Sequence, residues 1–111
     1  MTAAEDLARQ RDGHNCQRCG RSIVDFPSSL HHRQPKGMGG GALERYDRVV
    51  NLIRLCGTAT TPHCHRWAHN ATERYDSGFL VHRWDDPGEV IMTRTNGSRF
   101  GLTDEGTVVE L

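Results

Sequence analysis

Residues 51–69 read Asn51-Leu52-Ile53-Arg54-Leu55-Cys56-Gly57-Thr58-Ala59-Thr60-Thr61-Pro62-His63-Cys64-His65-Arg66-Trp67-Ala68-His69. This stretch decides the fold because it runs an apolar strand into one cysteine and starts a helix at another. Val49 to Leu55 is a short apolar run that fits a strand ending at Cys56. Thr61-Pro62 signals a helix start: threonine can cap a free backbone N–H, and the fixed φ of proline suits the first helical position. Beyond it Cys64, Ala68, Ala71 and Tyr75 fall at i, i+4, i+7 and i+11, one inward stripe, and Gly78 stops the helix. His65 and His69, four residues apart, share the face beside that stripe.

The two cysteines of this stretch have partners upstream. Cys16-Gln17-Arg18-Cys19-Gly20 has the form of a tight knuckle, and with Cys56 and Cys64 it supplies four thiolates from separate elements. Tetrahedral zinc takes four such ligands at short range and cross-links what carries them. The seven residues between Cys56 and Cys64 make the second pair wide, and His63 is an alternative fourth ligand. Four protein ligands leave no open position, so this zinc is structural.

Before the knuckle, Thr2 to Arg11 reads as a helix with Thr2 as cap, acids in its first turn, arginines in its last and Gly13 as stop. After the knuckle, Arg21 to Arg33 fits strand-turn-strand, with Asp25 to Ser29 as the turn. Adjacent His31 and His32 end the returning strand, where neighbouring side chains point to opposite faces. One can therefore bind a metal while the other faces a substrate. Pro35 to Gly41 is too rich in glycine for a regular element and reads as a loop. The tail from Phe79 fits three or four short strands, with Asn96-Gly97 as a hairpin turn. Met38, Trp67 and Trp84 read as packing residues, and His14 and His82 carry no readable role.

A chain of 111 residues with 35% hydrophobic residues builds one domain with a small core, the setting in which a metal staple is expected. No apolar run is long enough to span a membrane and the N-terminus lacks a signal-peptide core, so a cytoplasmic location is expected. Cysteines in that compartment favour metal over disulfides. The net charge is zero, but residues 85–111 hold six acids against two arginines, a net of −4 that leaves +4 on residues 1–84. The basic part also carries the cysteines, and such a face can hold phosphates with strong salt dependence. The expected fold is α+β: a zinc-stapled core over about 14–78 with an N-terminal helix, and a short C-terminal β extension over about 79–111, all in one domain.

The order knuckle, His31-His32, Pro35, Gly39-Gly40, Asn51-Leu52, Cys56, Cys64-His65 resembles the HNH endonuclease family, in particular the compact members encoded by tailed bacteriophages. The resemblance covers residues 14–70 or so. The chain departs from it in the long Cys56–Cys64 loop and in lacking a lysine after Cys64-His65. It implies a ββα-metal motif built on a treble-clef zinc site, and DNA as the substrate. Besides the structural zinc it implies one catalytic divalent ion, Mg2+, Mn2+, Ni2+ or Zn2+, held by His31 and His65 with His69 completing the set. With Pro35 aligned to the family's proline, three residues after its base, the resemblance implies that His32 is the general base and that Asn51 orients it by a hydrogen bond across the strands. Imidazole suits that role because its ordinary pKa lies near neutrality. Arg33, Lys36, Arg54 and Arg66 flank the site as candidates for neighbouring phosphates. If the chain is phage-encoded, the host cytoplasm and a terminase or other DNA-processing partner follow.

Two other readings compete. A non-catalytic zinc module binding DNA or protein accounts for the cysteines but leaves His31, His32, Asn51 and His65 without purpose. A redox dithiol at Cys16 and Cys19 requires a thioredoxin-like βαβ context that the sequence does not offer.

Overall fold

The computed structural model describes residues 2–34, 47–58, 63–70 and 74–111. The sequence expectations for Pro35, Lys36, Met38, Gly39-Gly40, Thr61-Pro62 and Ala71 lie outside the described residues.

Helix α1 (Ala3–Asp12) forms where the end signals place it. The Thr2 hydroxyl accepts from Glu5 N at 3.1 Å and the Glu5 carboxylate accepts from Thr2 N, a reciprocal capping box. Gly13, at φ 61°, ends the helix by donating its N–H to Arg9 O. The last turn of α1 then closes the open edge of a sheet. Arg11 donates to the carbonyls of Val49 and Leu52, and Asp12 Oδ2 accepts from Arg54 N at 2.8 Å. Arg11 and Asp12 also pair with each other at 2.7 Å, both buried. An unpaired strand edge invites foreign pairing, and this edge is consumed by α1.

That sheet is the hairpin of β1 (Ser28–His32) and β2 (Leu52–Cys56), antiparallel with His31 opposite Ile53 and His32 opposite Leu52. The strand expected from Val49 instead begins at Leu52, because Val49–Asn51 is a single 3-10 turn. The Asn51 side chain bonds the main chain of Gln34, which takes the place of continued ladder pairing. The strand expected from Arg21 reduces to one bridge, Asn15 to Ser22. Helix α2 (Cys64–Asn70) packs on both strands. Cys64 and Ala68 are buried as the stripe requires, but Tyr75 is 38% exposed, because residues 74–78 lie in turns.

The tail holds three strands, β3 (Met92–Thr93), β4 (Arg99–Leu102) and β5 (Val108–Glu110), in an antiparallel meander. Asn96-Gly97 makes the first turn, with Gly97 at φ 88°. Residues 79–91 contain no strand. Phe79, Met92, Phe100 and Leu102 join Val50, Leu52, Ile53 and Leu55 in one buried cluster, so the extension and the hairpin share a core. Gly78 is required at its corner: its φ is +81° and a Cβ would stand 2.2 Å from Ile91 O. No helix among the described residues is long and apolar enough to cross a membrane.

Candidate metal centres

The four cysteines converge. Cys16 and Cys19 come from the turn after α1, tightened by Gly20 N donating to Cys16 O and Cys16 N donating to Arg21 O. Cys56 ends β2 and Cys64 opens α2. The four sulfurs all lie within 4.8 Å of one another, and none is in a disulfide. The Cys19 and Cys56 sulfurs are 3.7 Å apart. A tetrahedral ion with Zn–S bonds of about 2.3 Å sets its sulfurs about 3.8 Å apart, so the donor set fits zinc. Crowding already polarises the thiols. The Cys64 S–H pushes Cys16 down to about 4 by hydrogen bonding, and Cys64 is pushed up in return. Burial pushes Cys56 up as well. Arg18 donates to Cys64 Sγ at 3.4 Å while its guanidinium lies 3.6 Å over the Trp67 ring. His63 packs edge-on to Phe26 and is not among the converging ligands. Trp67 packs against the core, as expected.

A second cluster lies one residue along α2. The pleat turns His31 toward that helix, and the ligand nitrogens of His31, His65 and His69 lie within 4.8 Å of one another. Their rings meet edge to face, with centroids 4.7 to 5.3 Å apart. His31 is fully buried and its Nε2 stands 2.7 Å from Phe79 O. A carbonyl only accepts, so Nε2 carries the proton and Nδ1 keeps a lone pair, buried without a hydrogen-bond partner. Metal-ligating imidazoles are commonly fixed in this way by a carbonyl on the far nitrogen. Burial pushes His31 down to about 3, with the neighbouring histidines adding to it. Burial also lowers His65, helped by His69, and lowers His69, helped by Arg74. Three neutral imidazoles are what a divalent ion requires. Nε2 of His65 and of His69 are 3.0 Å apart, close to the roughly 3.3 Å between two nitrogens on one tetrahedral ion.

His32 occupies the opposite face of β1, with its side chain 35% exposed. Its Nε2 lies 3.4 Å from Asp47 Oδ1. Asp47, one of two acids between the glycine-rich stretch and the apolar run, carries no signal in the sequence. Asn51 is fully buried, and its amide grips the Gln34 main chain, accepting from Gln34 N at 2.7 Å and donating to Gln34 O at 3.2 Å. It thus holds the chain two residues past His32.

The arginines divide. Arg33 is not a phosphate ligand: it is fully buried, and its guanidinium is spent on the carbonyls of Gly78, Val50, Pro87 and Val90. Arg54 is also withdrawn, since it donates to Gly13 O at 2.9 Å and to Ser28 Oγ at 3.4 Å, at the end of α1. Arg66 is exposed on α2 beside His65. Trp84 does not pack in the core; it is 76% exposed and stacks on His82. No protein-family model, curated protein or solved structure matches this chain.

Proposed function

We propose that this chain is a metal-dependent endonuclease of HNH type that hydrolyses phosphodiester bonds in DNA. The observation that carries the reading is the convergence of His31, His65 and His69 beside a separate four-cysteine cluster, the two joined through α2, which carries Cys64, His65 and His69. One cluster has four thiol donors and is closed, whereas the other has three imidazoles and leaves positions for water and substrate, the usual contrast between a structural and a catalytic site. The succession of hairpin and helix, β1–β2–α2, suits the ββα-metal unit that the resemblance implies, and the four clustered cysteines suit its zinc site.

His31, His65 and His69 would hold the divalent ion, which when bound would supply Lewis-acid stabilisation of the charge on the phosphate and on the leaving oxygen. His32 takes the proton from the attacking water. With Nε2–H donated to Asp47, its Nδ1 keeps the lone pair that accepts it, and the exposure of the ring gives water access. Asn51 keeps the strand end from shifting by its grip on Gln34. Arg33 and Arg54 are committed within the fold, so neither is assigned to neighbouring phosphates.

The test is plasmid nicking by the zinc-loaded protein, titrated in turn with Mg2+, Mn2+, Ni2+ and Zn2+. Nicking is expected to need the added ion. DNA binding without nicking at any ion, by folded protein, rejects the nuclease and leaves a zinc-binding DNA module.

A further inference from the structure

Three rings, one before and two after Phe79 in the chain, stand parallel. Tyr75 and His82 stack with centroids 3.8 Å apart and planes 4° apart, and His82 and Trp84 with 4.6 Å and 5°. Tyr75 covers one face of the imidazole, so Trp84 stands on the other. At 76% exposure, Trp84 is the most exposed large hydrophobic side chain among the described residues. A cleft of about 330 Å3 opens at this stack, lined by Gln34, Tyr75, Val81, His82, Arg83 and Trp84. That volume falls within the range of small-molecule sites.

The stack is tied to the histidine centre from two directions. Phe79 O fixes His31, and His82 follows three residues later, a span of at most about 11 Å even fully extended. Gln34, two residues past His32, donates its side-chain amide to His82 O at 2.8 Å. Nucleotides in one strand of a duplex advance by about 3.4 Å each, and further when the strand is stretched. A base several nucleotides from a phosphate held at the histidines therefore comes within reach of the rings.

We propose that Tyr75, His82 and Trp84 form a stacking platform for an unpaired nucleobase flanking the phosphate held at the histidines. The substrate is then single-stranded or locally unpaired DNA, because paired bases have both faces covered by their neighbours. This location rests on the nuclease reading; the stacking itself does not. The rings are already aligned and braced, so their order is not imposed by the ligand, and each base offers a flat π-face whatever its sequence. The flat outer face of an indole backed by two parallel rings fits such a ring better than it fits a furrowed peptide.

The experiment compares three phosphorothioate oligonucleotides of equal length, which resist cleavage: single-stranded thymidine, single-stranded abasic and duplex. Binding is read by anisotropy on zinc-loaded protein. Wild type is expected to hold the thymidine strand about five- to a hundred-fold more tightly than the abasic strand, the usual effect of one base on one aromatic. Trp84→Ala removes that preference and Trp84→Phe keeps most of it. Both variants are expected to stay folded with zinc bound, since the indole is largely exposed. Equal affinity of wild type for thymidine and abasic strands overturns the platform, as does a preference that survives Trp84→Ala. Equal binding together with Trp84-dependent capture of a proline-rich peptide assigns the rings to a protein partner and also overturns it. Plasmid nicking is scored separately: base-dependent binding without nicking keeps the platform and rejects the nuclease, and nicking without base-dependent binding does the reverse.

Discussion

Replacing Arg33 tests the division between cations that hold DNA and cations that hold the fold. Four of its five N–H groups are engaged: Nε with Gly78 O at 2.9 Å, Nη1 with Val50 O and Pro87 O at 2.8 Å each, and Nη2 with Val90 O at 2.7 Å. Burial pushes the guanidinium down to about 9, still protonated at neutral pH. Its charge is met by carbonyl dipoles from the turn before β2, the Gly78 corner and the loop before β3. A hydrogen bond to a charged group contributes about 1.5–3 kcal/mol, and the four do not add because they share one side chain. Deleting one member of a buried charged network costs about 3–5 kcal/mol, and Arg33→Ala also leaves a cavity, so about 4–5 kcal/mol is expected. Against a typical total of about 5–15 kcal/mol this is a large fraction. It corresponds to a fall in Tm of about 15 °C or more for a chain of this size. Arg33→Lys keeps the charge but not the fork, since one ammonium cannot meet four diverging carbonyls; a loss of about 2 kcal/mol is expected. Thermal and urea melts with zinc saturated read both variants. If Arg33→Lys melts like wild type, or if Arg33→Ala keeps its stability and instead lowers the salt dependence of DNA binding by about one counterion, Arg33 is a phosphate ligand and the reasoning fails.

Three further outcomes are expected. Chelation should unfold the domain, because the four cysteines tie the turn after α1 to β2 and α2; an unchanged circular dichroism spectrum in metal-free protein would contradict this. His65→Ala should shift nicking to higher metal concentration while one zinc per chain remains, with His69→Ala smaller in effect, and the reverse order would place the ligands in the wrong register. His32→Ala should lower the nicking rate by about 10²–10⁴-fold with fold and metal content intact, and Asn51→Ala should give a weaker defect together with about 1–3 kcal/mol of destabilisation; a fully active His32→Ala would remove the histidine from the base role.

The readable features were those set by local rules. The capping box of Thr2 and Glu5, the Gly13 stop and the Asn96-Gly97 turn each depend on a few adjacent residues. The shared helix face of His65 and His69 is legible from their four-residue spacing, but strand alternation only separates His31 from His32, and which of the two joins the helix pair came from the resemblance alone. Arg33 was misread because its partners are main-chain carbonyls at positions 50, 78, 87 and 90, which carry no residue-type signature. Tyr75 was misread because a helical stripe was extended into residues that turn. Trp84 was misread because burial is the default for an indole, and its exposure depends on where the segment from Phe79 to Trp84 is anchored.

The adjacency of Cys64 and His65 makes the two centres interdependent. Among the described residues helix α2 spans seven, too few to persist alone in water, so its position is borrowed from what it is attached to. One attachment is Cys64, whose sulfur joins Cys16, Cys19 and Cys56, and another is the packing of Ala68 into the core. Neighbouring helical side chains diverge by about a quarter turn, which turns the thiol of residue 64 toward the cysteine cluster and the imidazole of residue 65 toward His31. A displacement of Cys64 therefore carries His65 and His69 with it. His31 has no such freedom, since β1 and Phe79 O hold it from both sides. The histidine triad is thus one fixed nitrogen and two that follow the helix, so a zinc held at the four sulfurs would also steady two of the three histidines.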